Sequence, residues 1–411
     1  MKQYQYSSVP PSWPRVKLEE ACEGIFDCPH STPKLTSQGP LLARSQDIRS
    51  GVFRTEQAAH ISEETYKTRI RRAEPRYGDL LYSREGTYFG IAATVPPETR
   101  LCLGQRMVLI RPDRAKVDWR FLCYWLNSSF LSSYVSGHRD GSVAERLNLP
   151  TIRGLPVLLP PLVEQQHIAA TLGALDDKIG LNGRMNQTLE AMARAIFKSW
   201  LADIELPGGL LPLGWSARPL SSVADFLNGA AMQRFPAADK QKSFPVIKIA
   251  ELRKGETVNS QRAGLNVPSE YVIGDGDVLF SWSGTLEVVA WSGGRGALNQ
   301  HIFKVTSKEF PKWFYFYWLK EHLPVFRSIA ADKATTMGHI QRHHLSEALV
   351  AIPPDSVLEQ AGAIMAPLLA KQSQNNLESR TLAAIRDTLL PKLLSGEVRV
   401  SQAEHLVGQV A

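Results

Sequence analysis

Basic side chains are the groups in this sequence best suited to chemistry, and they cluster in a few polar segments. In the first half the candidates are Arg44 and Arg49 in one segment, Arg69, Arg71 and Arg72 in a second, and Arg139 and Arg146 in a third. In the second half they are Lys248 and Arg253, followed by Lys333, His339, Arg342 and His343. Lysine and arginine bind phosphate, and arginine and histidine can also address base edges, so these clusters predict contacts with nucleic acid. A solvated surface charge remains an equally good interpretation of any single one of them.

Residues that ligate metals do not have the spacing of a metal site. The four cysteines, which show no CxxC pattern, are Cys22, Cys28, Cys102 and Cys123. A site built on Cys22, Cys28 and His30 would need a fourth ligand, and none is obvious. His343 and His344 are adjacent, and neighbouring side chains on regular structure point apart. We therefore expect no metal site and no disulfide framework.

Motifs of catalysis are also missing from the sequence. It contains no Gly-x-x-x-x-Gly-Lys-Ser/Thr phosphate loop, and residues 274–277 lack the third glycine of a dinucleotide loop. The Asp/Asn-Pro-Pro-Tyr/Phe motif, with which amino-methyltransferases hold a flipped adenine, does not occur either. We expect a chain that is not an enzyme and binds no cofactor of its own.

The elements that carry these residues occur twice. Tyr77-Gly78-Asp79-Leu80-Leu81-Tyr82-Ser83 returns as Asp275-Gly276-Asp277-Val278-Leu279-Phe280-Ser281, and each run is followed by Gly-Thr. Leu103-Gly104-Gln105-Arg106 matches Leu298-Asn299-Gln300-His301, and His339 lies opposite Arg146 when the sequence is shifted by 193 residues. Strand-like and helix-like runs alternate in both copies, so the sequence predicts a duplicated α/β domain. Residues 136–149 and 330–344 differ most between the copies, and such loops usually carry specificity.

Each copy ends in a long helical pattern that opens with Pro-Pro. Apolar residues from Ile168 to Trp200 recur at steps of three and four, which is typical of a coiled-coil seam. Asn182 and Asn375 occupy the same position of the two seams, so antiparallel pairing would bring them together and fix the register. The other seam positions that we assign to the register are Leu175, Ile179, Leu189 and Leu382. The alternative is two amphipathic helices, each packed on its own domain.

Composition sets only outer bounds on function. A formal net charge of +7 and a pI of about 9.2 suit a polyanionic partner, but this excess is small for 411 residues and a merely basic surface explains it equally well. No apolar run approaches the ~18 residues of a membrane span. We expect a cytoplasmic protein with no membrane association.

The long helices carry an ordered series of motifs. They are Leu159-Pro160-Pro161-Leu162-Val163-Glu164-Gln165, Leu175-Asp176-Asp177-Lys178-Ile179, Ala195-Ile196-Phe197-Lys198-Ser199-Trp200 and Leu389-Leu390-Pro391-Lys392-Leu393-Leu394-Ser395-Gly396-Glu397-Val398. In these motifs the chain resembles the specificity subunit of type I restriction–modification enzymes. The resemblance implies an α/β chain with an internal pseudo-twofold duplication. Two similar globular target recognition domains would be separated by two long antiparallel coiled-coil helices.

The resemblance also implies an arrangement of domains and partners. We expect recognition domains at residues 1–158 and 205–351, conserved spacer helices at 159–204 and 352–403, and a tail at 404–411. Each recognition domain would bind one half of a bipartite site in double-stranded DNA, and the helices would set the gap and dock methyltransferase subunits, with two copies expected. S-adenosylmethionine, ATP and Mg²⁺ would be bound by those subunits and by a restriction and translocase subunit. The first alternative is a coiled-coil assembly scaffold without sequence-specific DNA binding. The second is an enzyme, such as a nuclease or methyltransferase with a degenerate site, and the missing motifs weigh against it.

Overall fold

The chain folds into two compact units in a computed structural model that describes residues 13–86, 88–137, 146–203, 211–332 and 338–403. The first unit comprises Met1–Asp177 and Leu382–Ala411, and the second comprises Lys178–Thr381. The predicted tail, residues 404–411, lies outside the described residues. Within the described ranges, no helix is both long enough and apolar enough to cross a membrane.

The first unit is built on a four-stranded antiparallel sheet, to which smaller sheets are added. All the strands of this unit are β1 (Arg15–Lys17), β2 (Cys22–Asp27), β3 (Leu35–Ala43), β4 (Ile48–Arg49), β5 (Val52–Phe53), β6 (Ala59–Ile61), β7 (Leu80–Ser83), β8 (Ala92–Thr94), β9 (Leu101–Leu103), β10 (Met107–Pro112) and β11 (Pro156–Leu158). The main sheet has the order β2-β10-β7-β8, and a second sheet has the order β6-β3-β9. All four residues of β7 are buried, so this strand lies in the core.

The helices of the first unit begin at polar capping residues. They are α1 (Glu63–Arg69), α2 (Trp119–Leu126), α3 (Ser129–Ser136), α4 (Leu149–Arg153) and the long α5 (Leu162–Phe197), which continues into the second unit. The side chains of Ser62, Asp118, Ser128 and Asn148 accept backbone N–H groups at the starts of α1 to α4. Such caps satisfy donors that a helix start leaves without partners, which explains where these helices begin.

The second unit repeats the plan of the first. Its strands are β12 (Ser216–Pro219), β13 (Asp225–Asn228), β14 (Phe244–Ile247), β15 (Arg262–Ala263), β16 (Val272–Ile273), β17 (Val278–Ser281), β18 (Val288–Ala290), β19 (Gly296–Leu298), β20 (Ile302–Thr306) and β21 (Leu349–Ile352). Its helices are α6 (Leu220–Val223), α7 (Ile249–Lys254), α8 (Lys312–Asp332), α9 (Arg342–Glu347) and the long α10 (Asp355–Ser395). The sheet β13-β20-β17-β18 has the same order as β2-β10-β7-β8, and β12 pairs with β21 as β1 pairs with β11. The predicted α/β duplication is confirmed.

The repeated Gly-Asp motif closes the same turn in both units. The Asp79 carboxylate accepts the backbone N–H of Arg76 at 3.0 Å, and the Asp277 carboxylate accepts that of Gly274 at 2.9 Å. Each carboxylate also pairs with a cation on the neighbouring strand, Arg111 in the first unit and Lys304 in the second. These aspartates therefore hold the turn before β7 and β17.

The long helices α5 and α10 pair antiparallel inside each unit. In the first unit the Asp176 carboxylate lies 2.6 Å from Arg386 Nη1 and also accepts the hydroxyl of Tyr124 at 2.6 Å. In the second unit Lys178 Nζ lies 3.3 Å from the Glu378 carboxylate. Further along the second unit, Asn186 donates to the carbonyl of Gln372 at 3.2 Å, so contacts that advance along α5 retreat along α10.

The two seam asparagines lie at the centre of the helix pair in the second unit. Asn182 is 1% exposed and Asn375 is fully buried. The Asn182 amide donates to Glu378 at 2.8 Å and to the backbone carbonyl of Asn375 at 3.4 Å, while the Asn375 amide donates to Asn186 Oδ1 at 2.8 Å. The antiparallel register brings the Asn182 amide onto the backbone of Asn375, while the Asn375 amide bonds Asn186, so the two residues meet through side chain and backbone.

The apolar seam positions are buried to different degrees. Leu175 and Leu382 are buried in the first unit, whereas Ile179 and Leu189 are half-buried in the second. Trp200, which we placed on the seam, is 39% exposed. Phe197, the last residue of α5, and Leu201, in the π-helical turn Lys198–Ala202 that follows, are buried in the core instead. The prediction for Trp200 was therefore wrong.

The two Pro-Pro motifs open their helices differently. Gln165 is 1% exposed, and its amide donates to the carbonyl of Pro160 at 2.8 Å and accepts the N–H of Asp118 at 2.9 Å. Two additional residues separate the second Pro-Pro from Glu-Gln, and Gln360 is exposed while Leu358 packs against the core. The two motifs therefore share residue types, but Gln360 does not make the buried contacts of Gln165.

Candidate nucleic-acid interface

Three chain segments meet at the end of β7 in the first unit. Arg84 and Glu85 follow the strand, Arg106 precedes β10, and Arg146 forms an isolated antiparallel bridge with Glu85. The backbone N–H of Arg84 donates to the carbonyl of Arg106 at 3.0 Å, and the residue after Arg146 donates to the carbonyl of Arg84 at 2.9 Å. We call Asp27, Arg84, Glu85, Arg106 and Arg146 the first strand-end site.

The same three segments meet at the end of β17 in the second unit. Trp282 and Ser283 follow the strand, His301 precedes β20, and His339 forms an isolated antiparallel bridge with Ser283. The backbone N–H of Trp282 donates to the carbonyl of His301 at 3.2 Å, and the residue after His339 donates to the carbonyl of Trp282 at 3.0 Å. We call Asn228, Trp282, Ser283, His301 and His339 the second strand-end site. Its backbone hydrogen bonds match those of the first site one for one.

Charged side chains dominate the first strand-end site. Arg84 Nη1 lies 3.0 Å from Asp27 Oδ1, and both side chains are 18% exposed. Arg106 Nε lies 3.2 Å from Glu85 Oε1, with the arginine 54% exposed, and Arg146 is exposed as well. Three arginines against two carboxylates leave an excess of positive charge, and the two accessible guanidinium groups can reach an anionic ligand such as phosphate.

Aromatic and neutral polar side chains fill the equivalent positions of the second site. Trp282 Nε1 donates to Asn228 Oδ1 at 2.9 Å, and Ser283 Oγ lies 3.0 Å from His301 Nδ1. The indole ring of Trp282 lies 5.8 Å from the His301 ring and 6.3 Å from the His339 ring, centroid to centroid. The side-chain contacts are thus placed as in the first site, but tilted and edge-on aromatic contacts and hydrogen bonds replace ion pairs.

Arg106 has an unusual backbone conformation. Its φ of 72° lies in the left-handed region, which residues other than glycine, asparagine and aspartate rarely adopt. Strain of this kind is concentrated at functional sites, where the surrounding structure imposes it. Its place beside Glu85 and its exposed guanidinium make Arg106 the strongest candidate contact of the first unit.

The segments that begin at Arg44 and Lys248 have mainly structural contacts. Arg44 binds the buried carboxylate of Asp47 through two hydrogen bonds, of 2.8 and 3.0 Å. Lys248 is half-buried at the start of α7, where its N–H donates to Glu251 at 3.1 Å. Arg253 is exposed in the last turn of α7. Of these three candidates, only Arg253 has a fully accessible side chain.

Arg49 lies close to the first strand-end site. Its guanidinium carbon is 3.8 Å from the centroid of the Tyr88 ring, a cation–π contact to the loop after β7. Ser45, from the same segment as Arg49, borders Gly86 in that loop. The segment 44–51 therefore forms one edge of this site.

Arg69 does not have the exposed side chain that we expected of a DNA contact. It is 7% exposed, and its guanidinium donates to the carbonyl of Leu103 at 2.8 and 3.0 Å, to that of Ser31 at 3.0 Å and to that of Pro29 at 3.2 Å. These bonds hold the chain around α1, so the prediction for Arg69 was wrong. Arg71 and Arg72 are exposed and stay candidates.

The last candidates of the second unit lie at the start of α9. Arg342 is exposed; its guanidinium donates to the carbonyl of Phe226 at 3.4 Å, and its guanidinium carbon lies 5.8 Å from the ring centroid of Phe303. His343 is also exposed. Arg139 and Lys333 lie outside the described residues.

His343 and His344 lie closer together than we expected. Their ring centroids are 4.0 Å apart, and ligand atoms of both and of Glu347 lie within 4.8 Å of one another. The expectation that the two side chains point apart was wrong. His344 Nδ1 accepts the N–H of Gln341 at 2.9 Å, so in the neutral ring Nε2 carries the proton and has no lone pair for a metal. This hydrogen bond disfavours a metal site at α9.

Burial keeps the cysteine thiols protonated. All four are free, and three of them are fully or nearly fully buried. Burial raises the pKa of Cys22 and of Cys123 to about 12 and that of Cys102 to about 11. A thiol of this kind is a poor nucleophile at neutral pH.

Several residues of the strand-end sites were not among the sequence candidates. Arg84, Arg106, Trp282 and His301 all lie in or beside the repeated motifs, which served only as markers of the duplication. These residues could have been found by comparing matched positions of the two copies and selecting those whose side chains differ in chemistry. Gln105-Arg106 in one copy and Gln300-His301 in the other are an example.

Comparisons with known proteins agree with this duplicated architecture. The family model of the type I restriction modification DNA specificity domain matches residues 49–191 and again residues 212–383, which together are most of the chain. The chain is 24% identical to the type I restriction enzyme MjaIX specificity subunit of Methanocaldococcus jannaschii, with 95% of this chain and 91% of that protein covered. It is 21% identical to the HindI specificity subunit of Haemophilus influenzae, with 78% and 86% covered.

A solved structure shares the fold. The crystal structure of a type I restriction–modification S subunit from M. genitalium superposes with a TM-score of 0.55 at 15% identity, and covers 96% of this chain and 97% of that one. At this identity the likeness concerns the fold alone. The double family match over most of the sequence, on a fold with the same duplication, shows that the chain belongs to the type I restriction–modification DNA specificity family.

Proposed function

We propose that this chain is the DNA specificity subunit of a type I restriction–modification enzyme, and that each strand-end site binds one half of a bipartite DNA target. The first site would act through Arg84, Arg106 and Arg146, and the second through Trp282 and His339 with the nearby Arg342. Arginine serves both phosphate contact and base readout, and imidazole and indole groups supply polar and stacking contacts to bases.

One observation carries this proposal. The two sites share their backbone hydrogen bonds and the placement of their side-chain pairs, yet differ in the chemistry of nearly every pair. A structural role common to both domains would not require arginines in one and aromatic rings in the other. Two sites that bind different base sequences would.

The helix pair supports a fixed relation between target halves. The buried Asn182 and Asn375 bind across α5 and α10, and buried polar contacts of this kind select one register of a helix pair. A fixed register would set the number of base pairs between the two half-sites.

The reaction would be carried out by partner subunits. Family membership supports assembly with methyltransferase subunits, which would hold S-adenosylmethionine, and with a restriction subunit, which would hold ATP and Mg²⁺. This chain would act without catalysis, by placing those subunits on their target. Two methyltransferase subunits would match the duplicated architecture.

Selection from a random DNA library tests this function. The full chain, assembled with its methyltransferase subunits, is expected to enrich a split motif. Arg106→Ala combined with Arg146→Ala should relax base preference in one half only, and Trp282→Ala in the other half only. The control is Lys308→Ala, which removes an exposed charge beyond the far end of β20 and should leave the motif unchanged. Enrichment of no motif would reject the specificity role, and relaxation of both halves by one variant would reject the assignment of sites.

A further inference from the structure

A cavity opens beside Trp282 in the second strand-end site. Its volume is about 260 Å³, and its walls include Asn228, Trp282, Phe303, His339 and Arg342. This volume is below the roughly 300–1,000 Å³ of pockets that hold drug-sized ligands. The cavity therefore suits one planar ring system.

The aromatic walls are held in place by their own contacts. The Trp282 indole is fixed by its hydrogen bond to Asn228 at 2.9 Å, and its centroid lies 6.0 Å from the ring of the buried Phe303. The His339 ring stands nearly perpendicular to the indole, at 80°. Because these groups are already ordered, a ring that stacks on the indole would find a prepared surface.

Polar groups stand at the edge of the same cavity. Gln341 and Arg342 belong to its lining, and both residues are exposed. An amide offers a donor and an acceptor, and a guanidinium group offers donors in a fixed fork. A ring with hydrogen-bonding atoms on its edge would be bound by these groups while its face lies on the indole.

We propose that this cavity receives a single nucleobase that has left the base stack of the second half-site. Enzymes that take a base out of a duplex hold it by stacking on aromatic side chains and by hydrogen bonds to its edge, and this cavity offers both. A paired base could not place its face on Trp282, because its faces are covered by its neighbours in the duplex. This inference rests on the proposed function and adds that one base of the second half-site is bound unstacked and unpaired.

In the part of the first strand-end site that the structure describes, no aromatic side chain takes the place of Trp282. Arg84 occupies the position of Trp282, Val108 that of Phe303, and Arg146 that of His339. The Arg84 guanidinium is bound to Asp27 at 3.0 Å. The inference therefore applies to the second half-site alone, and the first half-site is an internal control.

A mismatch scan on the selected DNA site tests the inference. Each base pair of the site is replaced in turn by a mismatch, and the affinity of the assembled complex is measured. A base that leaves the stack is released more readily when its pairing is already broken, so a mismatch at that position strengthens binding. Apart from the adenines taken by the methyltransferase subunits, we expect one position in the second half-site where a mismatch raises affinity about tenfold, while mismatches at the remaining positions weaken binding. Trp282→Ala should abolish this gain, and Trp282→Phe, which keeps a stacking face, should retain most of it.

Two controls separate the possible results. The adenine taken by the methyltransferase should show a mismatch gain that Trp282→Ala leaves unchanged. Gln341→Ala, at the cavity edge, should reduce the gain at the second half-site without affecting selection of the first half. If the complex selects a split motif but shows no mismatch gain that depends on Trp282, the second site binds paired bases and the inference is overturned while the proposed function stands. If no split motif is selected, the proposed function fails first.

Discussion

Replacing the buried Asn375 by leucine should stabilise the second unit. Asn375 Oδ1 is buried with no hydrogen-bond partner among the described residues, and an unsatisfied buried acceptor costs about 1–3 kcal/mol. The substitution removes that cost and buries an apolar side chain, for a further gain of about 1 kcal/mol. It also loses the hydrogen bond from Asn375 Nδ2 to Asn186 Oδ1, which contributes about 1 kcal/mol. The sum is a stabilisation of about 2 kcal/mol.

Thermal unfolding of the full chain measures this effect. For a unit of this size, 2 kcal/mol corresponds to a rise of about 4–8 °C in Tm. Gln187→Leu is the matched control, because Gln187 is exposed on α5 and its replacement should change stability by less than about 0.5 kcal/mol. The same Asn375→Leu chain should fix the gap between half-sites less strictly, because the polar contact that selects the register is lost. A lower Tm would show that the buried amide contributes net stability and would refute the reasoning.

Three further predictions concern single groups. Arg69→Ala should lower stability by about 3–4 kcal/mol in urea unfolding, because it removes two buried hydrogen bonds to the carbonyl of Leu103 and partly buried ones to the carbonyls of Ser31 and Pro29. The exposed Arg71→Ala should change stability by less than about 0.5 kcal/mol, and equal effects would contradict the structural role of Arg69. Arg106→Ala and Arg146→Ala should each reduce the slope of log affinity against log salt by about 1 if each guanidinium binds a phosphate, and an unchanged slope would remove them from the interface. Hydrogen bonds from Arg380 on α10 lower the pKa of Asp275. The stability that this pair contributes is therefore present above the ordinary aspartate pKa of about 4 and is lost as the pH falls through the lowered pKa. Asp275→Asn should flatten the acid limb of a curve of stability against pH, and an unaltered limb would show that the Asp275–Arg380 pair contributes nothing.

The duplication and the helix pairing could be predicted from the sequence because they depend on periodic patterns. Asn182 and Asn375 occupy the same position of the two helices when the copies are shifted by 193 residues, and each lies near the middle of its helix. Antiparallel pairing of the two helices therefore brings these asparagines together. The repeated motifs around Gly78 and Gly276 predicted equivalent strands, and Arg146 and His339 occupy equivalent bridges as the offset indicated. Periodicity and offset depend on many residues at once, so single residues that depart from the pattern do not change the prediction.

The contacts of individual side chains could not be predicted because they depend on partners far away in the sequence. Arg69 stands in a basic run like its neighbours, and only the fold brings the carbonyls of Pro29 and Leu103 around it. Trp200 fits the seam by spacing, but Phe197 and Leu201 occupy the core-facing positions in the fold. The partner of Arg84, Asp27, is 57 residues away. A pattern of residue types does not contain these distances.

A base-resolution map of methylated adenines most directly tests the claim that each strand-end site binds one half of a split target. The map is made in cells that carry the complete system with the wild-type chain, with Arg106→Ala combined with Arg146→Ala, or with Trp282→Ala. The account predicts a bipartite motif for the wild type, relaxed in one half by the arginine variant and in the opposite half by the tryptophan variant. A motif that both variants leave intact, or that each changes in both halves, would contradict it.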